Sequence, residues 1–290
     1  MSNESILQKL ELIEKLPTLP AVVNQITQLI QSNRSNMAQI ASVIMRDQAI
    51  ASRVIRLVNS AYYGLKTRVT SIQQAITLLG LNSVRNIVTG VAIVKTFEEE
   101  NGSVSTFDRQ KFWLSTFCCA LLSKNIAQYR GAGNVEDYFL GGLLHDVGIL
   151  VLDQFFHDEF NNVINGCLQC GDQYFEVENR ILGTNHCEIG DYLAKRWKLP
   201  DILANCMRAH HQPLFAVKDP DTNIDLLFTV HIADAFTQKV GFNIGIQCAL
   251  PQPSQVAMHK LELNETVINQ LAETSSKMTS SVMREWGIQG

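Results

Sequence analysis

Apolar residues recur along this chain with a period near that of an α-helix, and the two-residue alternation of a half-buried strand is nearly missing. The pattern predicts an all-α fold, an irregular multi-helix bundle. A short amphipathic helix is expected over residues 6–14, stopped by Leu16-Pro17-Thr18-Leu19-Pro20, because proline disfavours helix at the residue before it. Val22, Ile26, Leu29 and Ile30 mark a second helix. Asn36, Asp47 and Ser71 stand as N-caps of three more, since their side chains can accept from the free N–H groups of a first turn. Gly80 stops the last of these, and Asn82 or Ser83 restarts the chain towards Val94.

Glu98-Glu99-Glu100-Asn101-Gly102-Ser103 interrupts the periodicity with charge, glycine and serine. It divides a group of short helices (residues 1–100) from a second helical group (105–257), and residues 258–290 read as a C-terminal amphipathic helix. The second group opens with a long helix from Asp108 to Tyr129. Shorter helices follow around 158–169, 173–182, 186–194, 201–211 and 225–240, with a loop over 215–223 and irregular chain over 241–255. No 20–50-residue repeat and no low-complexity tract is present.

One stretch stands out. In Gly141-Gly142-Leu143-Leu144-His145-Asp146-Val147-Gly148-Ile149-Leu150, read as one helix, Leu140, Leu143, Leu144, Val147, Leu150 and Val151 form one face and Ile149 and Leu152 fill the other. A helix apolar all round is a buried helix. This one carries His145 and Asp146 in its middle, and a buried carboxylate must be neutralised. The candidates are a cation from the chain, a shared proton or a metal ion.

Composition narrows the class. Of 290 residues, 46% are hydrophobic and 18% charged, which excludes a disordered chain. The net charge of −4 and the lack of a basic cluster argue against nucleic acid as a partner. The N-terminus shows no signal peptide and no window is apolar enough to span a bilayer, so a cytoplasmic protein without a membrane partner is expected. Seven cysteines in apolar settings such as Cys118-Cys119 and Cys206 read as reduced, buried thiols. Cys167 and Cys170 have C-x-x-C spacing, but a structural zinc site would need a second pair and none exists.

The polar residues in or at the ends of apolar helices are His145, Asp146, His186, His210, His211, His231 and Asp234. Imidazole with carboxylate is a donor set that suits Zn, Mn, Fe or Ni. A carboxylate between two such ions can bridge them, and the pair can activate water and clamp a phosphoryl group. Each element alone has an ordinary explanation: a buried histidine is usually hydrogen-bonded core, and His210-His211 could serve as a dipole partner at a helix C-terminus.

With these residues the second group resembles the HD superfamily of metal-dependent phosphohydrolases, which are all-α domains. The resemblance implies His145-Asp146 as the central doublet, with Asp146 the bridging carboxylate and the catalytic one if the chain is active. It implies His186 as the next ligand, in His186-Cys187-Glu188-Ile189-Gly190, then His210 and His211 as the double histidine and Asp234 as the closing aspartate. One position departs: the histidine expected in the helix after Phe112-Trp113 is Ser115. The glycine-tyrosine-proline signature of the cyclic-dinucleotide phosphodiesterase branch is also missing after the double histidine, where the chain reads Gln212-Pro213-Leu214-Phe215.

The first group is similar to the HDOD family, the HD-related output domain of bacterial signalling, through Leu16-Pro17-Thr18-Leu19-Pro20, Arg56-Leu57-Val58-Asn59-Ser60-Ala61-Tyr62-Tyr63-Gly64 and Ala75-Ile76-Thr77-Leu78-Leu79-Gly80. The likeness covers about residues 14–240. It implies a bacterial regulatory module, catalytically degenerate, that binds a signalling partner protein or a small phosphorylated ligand between the two groups. The alternative is a phosphatase or phosphodiesterase acting on a nucleotide or other phosphoester. Asn59 and Arg56 either brace the groove between the groups or satisfy local backbone.

Overall fold

The computed structural model describes residues 5–13, 16–31, 36–60, 63–98, 107–217 and 222–286. Residues 1–4, Ala61 and Tyr62 of the aromatic turn, 99–103 of the charged boundary, 218–221 of the loop and 287–290 lie outside them. Among the described residues there are seventeen helices and no strand. The first six are α1 (Ile6–Leu12), α2 (Ala21–Gln31), α3 (Met37–Met45), α4 (Gln48–Val58), α5 (Ile72–Leu79) and α6 (Leu81–Glu98). Asn36, Asp47 and Ser71 each cap their helix by accepting from a first-turn N–H. Gly80 ends α5 at φ 85°, where a side chain would be strained.

The second group is built on α7 (Arg109–Tyr129), capped by Asp108, whose side chain accepts from Gln110 N and Lys111 N. Nearly every residue of α7 from Phe112 to Ala127 is buried, so it is the axis of the bundle. Around it lie α8 (Val135–Leu144), α15 (Ile224–Lys239) and α17 (Glu265–Trp286). The others are α9 (Val147–Phe155), α10 (His157–Cys170), α11 (Tyr174–Leu182), α12 (His186–Arg196), α13 (Asp201–Ala209), α14 (Pro213–Ala216) and α16 (Gln255–Lys260).

Four features differ from the sequence expectation. The Gly141–Leu150 stretch is two helices, α8 and α9, and the His145-Asp146 doublet is the turn between them. The expected loop over 215–223 begins as the last turn of α14, because Pro213 at N1 suits a helix start. The C-terminal amphipathic helix is also two, α16 and α17, separated at Glu262, whose φ is +52°. The helix expected over 201–211 ends at Ala209 and leaves His210 as its C-cap.

The core is continuous between the two groups. α6 packs on α2, α4 and α5 and also on α8, and α17 packs on both α7 and α4. The Trp197 indole donates to Pro17 O at 2.7 Å, and its ring meets Phe97 edge-on. Asn59 Nδ2 donates to Ile55 O and Val69 O, and Asn59 Oδ1 accepts from Val69 N–H. Its role is therefore to close the turn after α4, the local-backbone alternative. Tyr63, four residues on, reaches the second group. Its hydroxyl donates to Glu136 of α8, and its ring lies under the Lys124 ammonium of α7.

Lys124 and Glu136 form an ion pair that is almost wholly buried. Burial lowers the Lys124 pKa, and Glu136 opposes that shift. Removing one partner strands the other charge in the core, so Lys124→Met is expected to destabilise the protein by about 3–5 kcal/mol in urea melts. Lys124→Met with Glu136→Leu should recover most of that loss.

Candidate metal centre

Two glycines set the doublet in place. An added Cβ at Gly142 would lie 2.8 Å from the Ala120 Cα, so α8 rests directly on the backbone of α7. At Gly148 it would lie 2.1 Å from the His186 carbonyl oxygen, so α9 touches the first turn of α12. The turn carrying Asp146 is thereby held against the start of α12 and the end of α13.

Four imidazoles gather there. His186 Nε2 and His210 Nε2 each lie 3.2 Å from Asp146 Oδ1, and His145 Nε2 lies 3.2 Å from Asp146 Oδ2. His211 Nε2 is 3.1 Å from His186 Nε2, and His186 Nε2 is 3.4 Å from His210 Nε2. Asp234 sits at the edge: its Oδ1 is 3.7 Å from His145 Nε2 and accepts from the Gln238 amide at 3.0 Å. Of the sequence candidates, His145, His186 and His210 meet Asp146, His211 joins through His186, and Asp234 touches that set through His145. His231 stands outside it. Its Nε2 accepts from Ser254 N–H, so its Nδ1 carries the proton and donates to His210 O. Both ring nitrogens are engaged, and none is left for a ligand.

The far sides of the rings settle which nitrogen is bare. His145 Nδ1 is 2.8 Å from Gly142 O and His210 Nδ1 is 2.9 Å from Met207 O, and a carbonyl can only accept. His186 Nδ1 is 2.5 Å from Glu178 Oε2, an oxygen that also accepts the His186 backbone N–H. With Nδ1 carrying the proton in all three, the Nε2 lone pairs point inwards at Asp146. This is the tautomer that ligates metals, oriented by carbonyls and a carboxylate.

Bare nitrogens 3.1–3.4 Å apart repel unless a positive charge lies among them. Two buried atoms at this place, His145 Nε2 and Asp146 Oδ1, have no hydrogen-bond partner. Without a metal the only available positive charge is protons. Burial opposes charge on His145, His186 and His210, yet the neighbouring carboxylates and the Cys119 and Cys187 thiols outweigh it. His145 and His186 stand well above the usual imidazole range and His210 near 9. Burial likewise pushes Asp146 up, and the three histidines outweigh it and hold the carboxyl well below its usual value. Burial and the charges on His210 and His186 keep His211 neutral. A bound divalent cation would supply that charge, and two donor sets that share His210 could hold one. His186, Cys187, His210 and His211 form one set of mutually close ligand atoms, and His145, Asp146 and His210 another.

Three participants escaped the sequence reading. Glu178 looked like an ordinary charge in α11, though it shares the buried stripe of Tyr174 and Val177 at helical spacing, which is the signal that marks it. Cys187 lies beside His186, with its Sγ 3.5 Å from His186 Nε2 and 3.8 Å from His210 Nδ1. Cys119, one turn beyond Ser115 on α7, is buried close enough to His145 for each to influence the other's charge. Ser115 itself turns away, donating to Phe242 O at 3.1 Å.

A family model of the HDOD domain matches residues 16–213, most of the chain and all of the cluster except Asp234. The chain belongs to the HDOD domain family. An HDOD domain protein of Geobacter sulfurreducens, of unknown function, is 25% identical over 97% of this chain and 94% of its own, with a TM-score of 0.72. A provisionally named phosphohydrolase of Shewanella amazonensis shares 22% identity, covers 97% of both chains and has a TM-score of 0.71. A provisionally named signal transduction protein of Marinobacter aquaeolei shares 22% identity over 99% of this chain and 62% of its own, with a TM-score of 0.74. At that identity the last two likenesses concern the fold alone. An uncharacterized protein of Treponema pallidum is 24% identical over 196 residues, which are 67% of this chain and 37% of that longer relative. The HDOD fold is thus all-α over the described residues, with a His/Asp cluster that could bind metal. No single helix among the described residues is long and apolar enough to cross a membrane.

Glu178 gives a direct test of this second layer. Burial raises its pKa and His186 pulls it back, so a proton is held between the two. Glu178→Gln keeps the shape and loses the anion. Its expected effect is a 10–100-fold weaker metal affinity in competition with a chromophoric chelator.

Proposed function

We propose that this chain is a regulatory signal-transduction module in which the His145-Asp146 centre holds one divalent transition metal (Mn, Fe, Zn or Ni) as a structural element, without turnover. The observation that carries this reading is room. The space beside Asp146, His186 and His211 amounts to about 20 Å³, flanked by Tyr174, Phe175 and the 244–251 segment. That volume admits an ion or a water; substrate pockets run to about 300–1,000 Å³. Ala249 N–H donates to Asp172 O, and Ser254 N–H donates to His231, which ties the flanking segment at both sides.

The ligand set supports the same reading. Asp146, His186, His210 and His211 furnish one position, with His145 and Asp234 on its flank. On α7 no imidazole completes a second position. Ser115 is committed to a carbonyl, and burial pushes the Cys119 thiol up, so it stays protonated. When bound, the metal would neutralise Asp146 and lock the α8–α9 turn to α12 and α13. The two helical groups, up to residue 100 and from 105 to 257, would then present a fixed surface to a signalling partner or small ligand.

A second reading is favoured by Asp146 itself, whose two oxygens face different histidines as a bridging carboxylate does. On it, the chain is a metal-dependent phosphohydrolase acting on a nucleotide or other phosphoester once the 244–251 segment opens. Metal analysis of the purified chain, joined to phosphatase and phosphodiesterase assays with added Mn, Fe or Zn, separates the two. One tightly held metal without turnover is expected. Turnover abolished by His145→Ala and by Asp146→Ala would overturn the regulatory reading in favour of the enzyme.

A further inference from the structure

A roomy cavity lies away from the metal centre, where the two helical groups meet. It measures about 760 Å³, within the range of small-molecule sites. One wall comes from Leu16–Pro20 and α2, another from α6, and the third from the end of α12 and the start of α13. None of the His/Asp cluster lines it.

Its lining is two-sided. Leu19, Val23, Leu140, Leu203 and Trp197 give a buried apolar wall, and the Trp197 indole is held by its bond to Pro17 O. Arg85, Arg196 and Lys198 add three cations, against Asp201 as the single carboxylate of the lining. The cations are not spent inside the protein. Arg85 Nε and Nη2 both donate to the neutral Asn86 amide oxygen, at 3.1 and 3.0 Å. Asn86 is buried and is fixed in turn by donating to Asp137 Oδ1 at 2.6 Å, so the guanidinium is aimed without being paired. Among the described residues Arg196 meets the Tyr192 hydroxyl, at 3.4 Å, and no carboxylate. Lys198 holds φ +54°, a conformation disfavoured for any residue with a side chain. A glycine would be the relaxed choice there, yet the position carries a cation at the cavity rim. α13 also opens at this rim, after Pro200, with no side-chain cap.

We infer that this cavity is a binding site for a nucleotide-sized phosphorylated ligand, its flat apolar ring against the Trp197 wall and its phosphate on Arg85 and Lys198. Inorganic phosphate would leave the apolar wall uncovered, and an uncharged ring would leave the cations unmet. Because both helical groups contribute, such a ligand would stiffen their junction. The inference takes its regulatory meaning from the reading above, but its geometry is independent of the metal centre.

The test uses the full chain, with AMP as probe and adenosine and inorganic phosphate as partial probes, followed by calorimetric titration. Saturable AMP binding below about 1 mM is expected, with both partial probes at least about tenfold weaker. Lys198→Gly relaxes the backbone, so it should keep or raise the melting temperature while weakening AMP at least about tenfold. Arg85→Met should weaken it similarly. No AMP binding below about 1 mM, adenosine binding as tightly as AMP, or AMP affinity unchanged in both variants would each overturn the inference. Metal content is measured on the same samples. Chelator-treated protein should bind AMP within about twofold of the untreated chain, so failure of the metal reading and failure of this one are distinguishable.

Discussion

Gly148→Ala is expected to cost more than about 3 kcal/mol of stability and to lower the melting temperature by roughly 6–12 °C. The new methyl would stand 2.1 Å from the His186 carbonyl oxygen, 2.9 Å from its carbon and 3.1 Å from Gly190 N. All three are backbone atoms, so no side chain can swing aside; α9 and α12 must part. Alanine is the better helix former by about 1 kcal/mol, which offsets only a fraction of the loss. Parting those helices also draws His186 from Asp146, so metal affinity should fall with stability. Gly133→Ala is the control. An added Cβ there meets nothing within 4 Å, and the expected change is within about 0.5 kcal/mol. A Gly148→Ala protein as stable as Gly133→Ala would refute the close α9–α12 crossing.

Metal removal should reverse the pH dependence of stability. In the metal-free chain His145 and His186 are raised well above the ordinary imidazole value and His210 to about 9. A raised group binds its proton more tightly when folded. Its contribution is complete below about pH 6.5 and is lost as pH climbs through the folded value, near 9 for His210. Cys187, drawn down to about 7 by His186 and His210 against the effect of burial, works the other way between pH 7 and 9. Three histidines against one thiol leave a net loss of stability across that window. With saturating metal the histidines hold no extra protons, and the slope reverses: stability falls as pH drops below about 6.5, where protons compete with the ion, and is level above it. Urea melts between pH 6 and 9, with chelator and with metal, check the sign. Asp146→Ala should abolish the difference between the two series and weaken metal by more than about 100-fold, beyond what a supporting residue costs.

The outline of the fold was legible because helix patterning and capping are local. Asn36, Asp47 and Ser71 cap as their spacing predicts, and the long helix expected from Asp108 to Tyr129 is α7, buried along most of its length. The break at His145-Asp146 was not. Apolar periodicity runs straight through it, and the turn exists because Gly142 and Gly148 bring α8 and α9 against different partners, α7 and α12.

For the site, residue types alone picked out seven polar residues in apolar helices, His231 and Asp234 among them, and the family resemblance narrowed these to His145, Asp146, His186, His210, His211 and Asp234. Asp234 was named with the same weight, and the structure leaves it touching the set only through His145. Glu178 was passed over because a glutamate in an amphipathic helix ordinarily faces water. Its burial depends on α11 lying against His186, a contact between distant segments.

The amino-acid order by itself determined which stretches are helical, where most of them start and stop, and which polar groups need a partner indoors. It did so because hydrogen bonds within a helix and its caps join residues three or four apart. Only the tertiary structure decided which imidazole nitrogens are bare, that about 20 Å³ is left beside Asp146, and that three unspent cations share a cavity with a buried indole. Those are properties of space between helices, set by where backbones cross, and no local pattern encodes them.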